Sequence, residues 1–549
     1  MEEYLLLLGA DQFLRERSYA GGKLIGDFQI WTAIKGSKYK YNAYFDFCID
    51  AGPLSYEDIK NKIDYYKTQG YEPKSIVPLN DWTLKVANKL NKDYGLPYLD
   101  DEVVEACRNK YLMKEVFEKA DIPTPKSKLF ETIEQLKELI QTFEFPVIIK
   151  PVDFGGSGGV YLAHNEAECK EAYMKSQKVM AAYADSFKVS KNTFLIEAFI
   201  DSNEEVSVEV LCGENFYEVI TVTEKYLSPR PWFTEMGHLV PSHRYKDENI
   251  KKLAIQSCKS LGINRGVAHI EIKIKDNNLY VIEAAARPGG DAIMDLVESS
   301  YSINPYQLHI SMYINNKLKP PFTFRPNSTS AIAFMKAQKG KITNINFPDI
   351  SKDTEIKRIS LLKNIGDIIS DPENWSSRDG LVQFSWPELP TTKIYKHINK
   401  ANDLANKNRE IHEVALLDSA LGVGMALIGI LLSKYMSYKW MNIFLIISIS
   451  ISVLWYYYED TIIIKLLLML CFGISFGGAR IIFRKIIVTE YASHTVKSVY
   501  SLGNALGLPI LSVCIYLGML NLDLVWLPSF ILLTILLILL KTQYQKGAL

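Results

Sequence analysis

The stretch His269 to Asp291, HIEIKIKDNNLYVIEAAARPGGD, constrains this chain more than any other. Apolar and polar residues alternate on both sides of Asp276-Asn277-Asn278, and that triplet supplies turn chemistry, so the segment reads as a β-hairpin. In such a hairpin Glu271 and Glu283 lie side by side on one face. Paired carboxylates that offer only oxygen suit Mg²⁺, which keeps several waters and takes its other ligands from substrate phosphates. Arg287, four residues on, adds a planar fork for an anion. Taken alone, the same residues also fit an ordinary solvated hairpin with two surface glutamates.

A second stretch adds phosphate chemistry. In FPVIIKPVDFGGSGGV, Phe145 to Val160, a buried strand delivers Lys150, and a loop follows with Gly155, Gly156, Ser157, Gly158 and Gly159. Glycines let backbone N–H groups approach phosphate oxygens at little steric cost. The spacing is neither GxxxxGKS nor GxGxxG, so the loop alone names no fold.

Length and composition bound the rest. A chain of 549 residues is too long for one core, so several domains are expected. With 62 basic and 62 acidic side chains, no basic excess points to nucleic acid. Seven scattered cysteines lack metal spacing and read as free thiols in a reducing compartment. Tyr4 to Leu8 follows two glutamates and is too short for a signal peptide; it reads as a buried strand. With Phe45 to Gly52 it suggests a small α/β domain with parallel strands. Asp81 to Tyr94 reads as a helix with Asp81 as its N-cap. Leu112, Val116 and Phe117 form the apolar stripe of another helix, on which Lys110 and Lys114 are solvated charges unless a site recruits them.

Taken together, the hairpin and the glycine-rich loop resemble the ATP-grasp fold. The resemblance implies an α/β architecture with an N-terminal domain over 1–107, an ATP-grasp domain over 108–320 and a C-terminal α+β lobe over 321–411. It assigns Lys110, Lys150 and the loop residues Gly155, Gly156, Ser157 and Gly158 to the phosphates of ATP. Glu197, Ala198 and Phe199 fall at the adenine hinge, Glu205 at the ribose position, and Glu271 and Glu283 at Mg²⁺. Where the family often has a metal-binding Asn the chain has Ala285, which leaves one or two Mg²⁺ open. In Arg230 to His243, Glu235, Gly237 and His238 resemble the Glu-x-Gly-His element of bacterial L-amino acid ligases. That likeness places Glu235 and His238 at an amino-acid pocket, with Asp291 on its wall and Arg287 on a carboxylate or oxyanion. The implied activity is an ATP-dependent carboxylate–amine ligase working through an acyl phosphate, on an amino acid or other small carboxylate and an amine. The oligomeric state stays open, a homodimer being one reading.

The end of the chain changes character. Val414–Leu432, Met441–Tyr457, Ile462–Ala479, Val499–Leu520 and Leu524–Leu540 are apolar runs of about membrane-spanning length. Buried soluble helices are the competing reading. The glycine-rich run ending at Arg480, the basic Arg484-Lys485 link and the Asn504 to Pro509 segment resemble part of a major facilitator superfamily transporter. Residues 412–549 are therefore expected to be transmembrane helices in the lipid bilayer. The basic links favour an interfacial first run and four spans, giving a multi-pass cell-membrane protein with its ligase in the cytoplasm. Two alternatives remain: a transporter-associated ATP-binding module whose ligase activity is lost or secondary, and a ligase for carboxylates other than amino acids.

Overall fold

The computed structural model describes residues 2–407 except 11–13, 37–44, 315–321, 338, 343 and 346–352, and beyond them scattered positions between 443 and 475. Two compact units are distinguished, 1–338 with 344–410 and 339–343 with 411–549. Every element named below belongs to the first.

The N-terminal strand owes its place to a continuous apolar run, as strands covered on both faces do. Tyr4 to Leu8 are all buried in β1 (Glu2–Leu8). Parallel pairing with β2 (Gln29–Ala33), β3 (Phe47–Ile49) and β4 (Tyr71–Pro78) gives the order β3-β2-β1-β4. The helix Asp81–Asp93 follows β4, and its cap differs from expectation: Asn80, not Asp81, accepts from the Thr83 N–H at 3.0 Å. Both residue types cap well. With Asn80 in that role, the Asp81 carboxylate is left for the site.

A second sheet is antiparallel, in the order β5-β8-β6-β7, from β5 (Ser127–Phe130), β6 (Val147–Pro151), β7 (Tyr161–Ala163) and β8 (Phe194–Ala198). All five residues of β6 are buried, and Ile149, Phe154 and Phe194 pack with Cys169, Ala172 and Met180 of the helix Glu166–Phe187.

The third sheet holds eight antiparallel strands: β9 (Glu204–Gly213), β10 (Phe216–Leu227), β11 (Glu235–Val240), β12 (Gly266–Lys275), β13 (Asn278–Ala285), β14 (Thr329–Met335), β15 (Ile356–Leu361) and β16 (Gly380–Trp386). Their order is β13-β12-β9-β10-β11-β14-β16-β15. The β12–β13 turn is tight, with Asp276 at φ 50° and Asn277 at φ 63°. Two successive left-handed residues match the twist of the flanking strands. The register then sets Glu271 opposite Glu283.

His309 ties the first sheet to the third. Its Nδ1 accepts from the Val267 N–H at 2.9 Å, and its Nε2 donates to the Pro78 carbonyl at 2.9 Å. Burial lowers its pKa from 6.5 to about 4, against a smaller upward pull from the Pro78 carbonyl. The folded state therefore binds fewer protons than the unfolded chain between these values. Stability from this group is complete above pH 6.5 and is lost as pH falls toward 4. His309→Gln, which can keep both bonds, is expected to reduce the loss of stability between pH 7 and 5 by about 2 kcal/mol. Urea unfolding at the two pH values checks this, and an unchanged pH slope would remove the assignment.

The multi-pass membrane expectation is corrected. The five apolar runs lie outside the described residues except for scattered positions, and among the described residues no helix is long and apolar enough to cross a membrane. A span needs about 20 consecutive, predominantly apolar residues. The helix Glu166–Phe187 has the length, 22 residues, but carries Glu166, Glu168, Lys170, Glu171, Lys175, Lys178 and Asp185.

A two-cavity candidate active site

Side chains two apart on a strand share a face, so register assembles the site. Glu205, Ser207 and Glu209 of β9 lie opposite Lys273, Glu271 and His269 of β12, and Glu205 also lies opposite Lys225 of β10. Lys225 in turn faces His238 of β11. On a regular strand Glu235 and His238, three apart, would point to opposite faces. A bulge prevents this: Gly237 pairs with Tyr226 and Glu235 with Leu227, leaving Met236 as an extra residue. Glu235 and His238 thus share a face, with their side chains 3.3 Å apart.

Lys225, which the sequence reading did not single out, lies at the centre. It is 1% exposed, and its Nζ lies 3.1 Å from Glu205, 2.6 Å from Glu235 and 2.9 Å from Glu271. Burial alone would lower its pKa, but these three carboxylates hold it well above the usual lysine value. The reverse holds for Glu271: burial pushes its pKa up, and Lys225 followed by His269 brings it well below the usual carboxylate range. His269 bonds Glu209 at 2.5 Å and Glu271 at 3.3 Å. Burial lowers its pKa, yet Glu209 and then Glu271 lift it to about 9, so the ring is a cation at neutral pH. Gly289 packs closely on this pair: a Cβ there would stand 3.0 Å from Glu209 and 3.1 Å from His269, so any side chain would have to push them by a few tenths of an ångström.

Lysines line the other side. Asn109 caps the helix Lys110–Lys119 by accepting from the N–H groups of Tyr111 and Leu112, which sets Lys110 in its first turn. The Lys110 Nζ donates to the Phe154 carbonyl at 2.8 Å and lies 3.1 Å from Glu283. Lys150 and Lys114 both bind Glu197, at 2.9 and 2.8 Å. The solvated reading of Lys110 and Lys114 therefore fails, since both are buried. Burial lowers the Lys114 pKa to about 8, partly offset by Glu197. Ala198 and Phe199 follow Glu197 at the end of β8; Phe199 packs on Phe233, and the Arg230 guanidinium lies over its ring at 5.0 Å.

Two cavities meet over this surface. The smaller, about 140 Å³, is lined by Lys110, Lys150, Glu197, Phe199, Glu205 and Ile282 among others. The larger, about 480 Å³, is lined by Arg15, Asp81, His269, Arg287, Asp291 and Arg378 among others. Gly155, Gly156, Glu235, Glu271 and Glu283 line both. The loop is held from above: Ser157 donates to the Phe233 carbonyl at 2.8 Å, and the Trp375 N–H donates to the Gly156 carbonyl at 3.4 Å. Gly156 has φ 65°, and a Cβ there would stand 2.5 Å from the Trp375 ring. Gly158 follows in the same loop, where a Cβ would stand 2.4 Å from the Phe154 ring.

In the larger cavity each strong anion has a cation. Arg287 forks onto Asp81 at 2.8 and 2.7 Å, and Arg378 forks onto Asp291 at 2.8 and 2.7 Å. Burial raises the Asp81 pKa, but Arg287 and Arg108 bring it down to about 2. His238 is fully buried 3.6 Å from Asp291; burial lowers its pKa, but Asp291 and Glu235 outweigh that and hold it above the usual histidine value. Glu235, His238 and Asp291 bring three ligand atoms within 4.8 Å of one another, but Lys225 and Arg378 already neutralise the two carboxylates. Glu271 and Glu283 are the better oxygen pair for a divalent cation, being opposite in register and on the rim of both cavities. Ala285 lies opposite His269 and is buried, so it adds no ligand.

Every site residue read from the sequence thus lies on or beside the two cavities. Lys225, Glu209, His269, Asp81, Trp375 and Arg378 were missed. The polar period-two set His269, Glu271, Lys273 was a signal for one of them; Trp375 and Arg378 carried none.

The family model described as an ATP-grasp domain matches residues 143–295. Dapdiamide A synthase of Enterobacter agglomerans is 26% identical over 233 residues, 42% of this chain and 54% of that protein. Alanine–anticapsin ligase of Bacillus subtilis (strain 168) is 27% identical over 231 residues, 39% of this chain and 48% of the relative. The chain thus spans about half the length of these curated relatives. The crystal structure of L-amino acid ligase from Bacillus licheniformis superposes with a TM-score of 0.62 at 22% identity, covering 75% of this chain and 98% of that one. Residues 143–295 match the ATP-grasp domain, and the described chain has the ATP-grasp α/β fold.

Proposed function

We propose that the chain is an ATP-dependent carboxylate–amine ligase that activates an amino acid as an acyl phosphate and joins it to an amine. The observation that carries this reading is the junction of the two cavities at Gly155, Gly156, Glu235, Glu271 and Glu283. A nucleotide in the lysine-lined cavity would present its terminal phosphate to a carboxylate in the other.

In this reading Lys110 and Lys150 neutralise the ATP phosphates, and backbone N–H groups of Gly155 to Gly158 cradle them. Phe199, Ile148 and Ile282 cover the base, while Glu197 holds Lys114 and Lys150 in place. Glu205, braced by Lys225 and Lys273, faces the ribose side. Glu271 and Glu283 are the residues that would hold Mg²⁺, which when bound neutralises phosphate charge. The substrate carboxylate oxygen attacks the terminal phosphorus, ADP leaves, and an acyl phosphate forms. The amine nitrogen then attacks the acyl carbon, the C–O bond to phosphate breaks, and the amine gives up a proton. Arg287 lies where it would stabilise the tetrahedral oxyanion, and the carboxylates of Glu235 and Asp291, held ionised by Lys225 and Arg378, offer acceptor oxygens to an α-ammonium. Trp375 on the glycine loop keeps water from the acyl phosphate.

The test is phosphate release by the full-length chain with ATP, Mg²⁺ and pairwise mixtures of amino acids, read with product mass. Release that needs two substrates and a product equal to their sum less one water is expected. ATP bound but never consumed across the panel would overturn the reading.

A further inference from the structure

Arg287 is held by a carboxylate from a distant part of the fold. Asp81 stands at the first position of the helix after β4, freed by the Asn80 cap, and Arg287 follows β13 at the edge of the third sheet. Arg287 Nε donates to Asp81 Oδ2 at 2.8 Å, Nη2 stands 2.7 Å from the same oxygen, and Nη1 donates to the Pro288 carbonyl at 3.0 Å. A guanidinium has five N–H groups, so these contacts leave one on each terminal nitrogen. Both side chains are 15% exposed and line the larger cavity. Other cations surround Asp81: Arg108 and Lys110 act on its charge after Arg287 does, and it acts in turn on Arg15. Arg108 lies farther off, its Nη1 3.9 Å from Oδ1 and its Nη2 donating to the Asp153 carbonyl at 2.9 Å. Among the described residues, Arg287 is therefore the cation within hydrogen-bond reach of Asp81.

We infer that Asp81 is a positioning residue for Arg287, holding the guanidinium so that its two remaining N–H groups meet the oxyanion of the tetrahedral intermediate. The role of Arg287 rests on the ligase reading of this site; the hold on it rests on the two contacts to Oδ2. A long side chain that must be ordered as charge develops gives back part of what it stabilises, whereas one ordered beforehand costs no reorganisation at that moment. The Pro288 carbonyl alone would fix one end of the guanidinium and leave its plane free to turn. Oδ2, at the Nε edge, stops that turn. An amide oxygen in the same place would keep the acceptor without the charge. A helix packed on the first sheet thereby sets the aim of a residue that follows the β12–β13 hairpin.

The full-length chain and its Asp81→Ala, Asp81→Asn and Arg287→Ala variants are assayed for hydroxamate with ATP, Mg²⁺, hydroxylamine and each of the twenty amino acids. Binding of a non-hydrolysable ATP analogue is measured by calorimetry alongside. Asp81→Ala is expected to lower kcat about 10²-fold, the scale of a displaced catalytic group, with analogue affinity and the KM for ATP within about threefold of the parent. Asp81→Asn should recover most of that loss, because its amide oxygen still accepts from Nε. In an Arg287→Ala background, Asp81→Ala should lower kcat by less than about threefold more, since a group that acts through Arg287 then has nothing to hold. Analogue binding shows which variants fold, and Asp81→Ser repeats the comparison if Asp81→Ala does not. Four results would each overturn the inference and leave the ligase reading in place: a kcat for Asp81→Ala within about threefold of the parent, a rise in Asp81→Asn, equal losses in Asp81→Asn and Asp81→Ala, or a second full loss in the Arg287→Ala background. A parent chain that forms no hydroxamate and releases no phosphate across the panel would remove the ligase reading, and the positioning role with it.

Discussion

Glu283→Gln is expected to lower turnover about 10³-fold, a loss on the scale of removing one preorganised electrostatic contact from a closed site, while the chain stays folded. Glu283 lies opposite Glu271 in the hairpin register, on the rim of both cavities. An amide of the same shape still accepts from Lys110, which now lies 3.1 Å away. Charge and one oxygen donor for a divalent cation are what disappear. The loss should therefore fall on kcat at saturating ATP and on Mg²⁺ dependence, with an unchanged melting temperature. Steady-state kinetics across a Mg²⁺ titration would decide it. Activity within about tenfold of the parent would remove the metal assignment from this hairpin.

The elements legible in the sequence are those written in short spans. Turn chemistry at Asp276-Asn277 and alternation on either side fix the β12–β13 register, and with it the Glu271/Glu283 pair. The glycines after Lys150 announce a loop that must pass close to other groups, and Gly156 does so beneath Trp375. Features that depend on register between distant strands were not legible. The Lys225 carboxylate cluster needs β10 beside both β9 and β11, and the Arg378–Asp291 fork joins residues 87 apart. The Arg287–Asp81 pair spans 206 residues and depends on Asn80 taking the cap. Glu235 and His238 were found by likeness, but a regular strand would have parted them; only the Met236 bulge puts them on one face. Apolar content over 414–540 carries no such geometry, and the membrane reading built on it did not survive.

Lys225→Met is expected to be the most destabilising single change at the site. Removing one partner of a buried pair costs about 3–5 kcal/mol, because the other charge stays buried and uncompensated. Here three carboxylates lose the same partner, which argues for the upper end or beyond. Each, however, keeps a second cation or potential cation: Glu205 has Lys273 at 3.1 Å, Glu271 has His269 at 3.3 Å, and Glu235 has His238 at 3.3 Å. Those remaining contacts bring the expected loss back to about 3 kcal/mol. Methionine fills most of the lysine's volume, so cavity formation adds little. Urea midpoints at neutral pH would read the loss. Adding Glu235→Gln to Lys225→Met should restore part of it, since Glu235 is the nearest of the three at 2.6 Å, and the double-mutant cycle would then show coupling well above 0.5 kcal/mol. Additive effects, or a Lys225→Met loss below about 1 kcal/mol, would mean that the three carboxylates are balanced by His269, His238 and Lys273 without it.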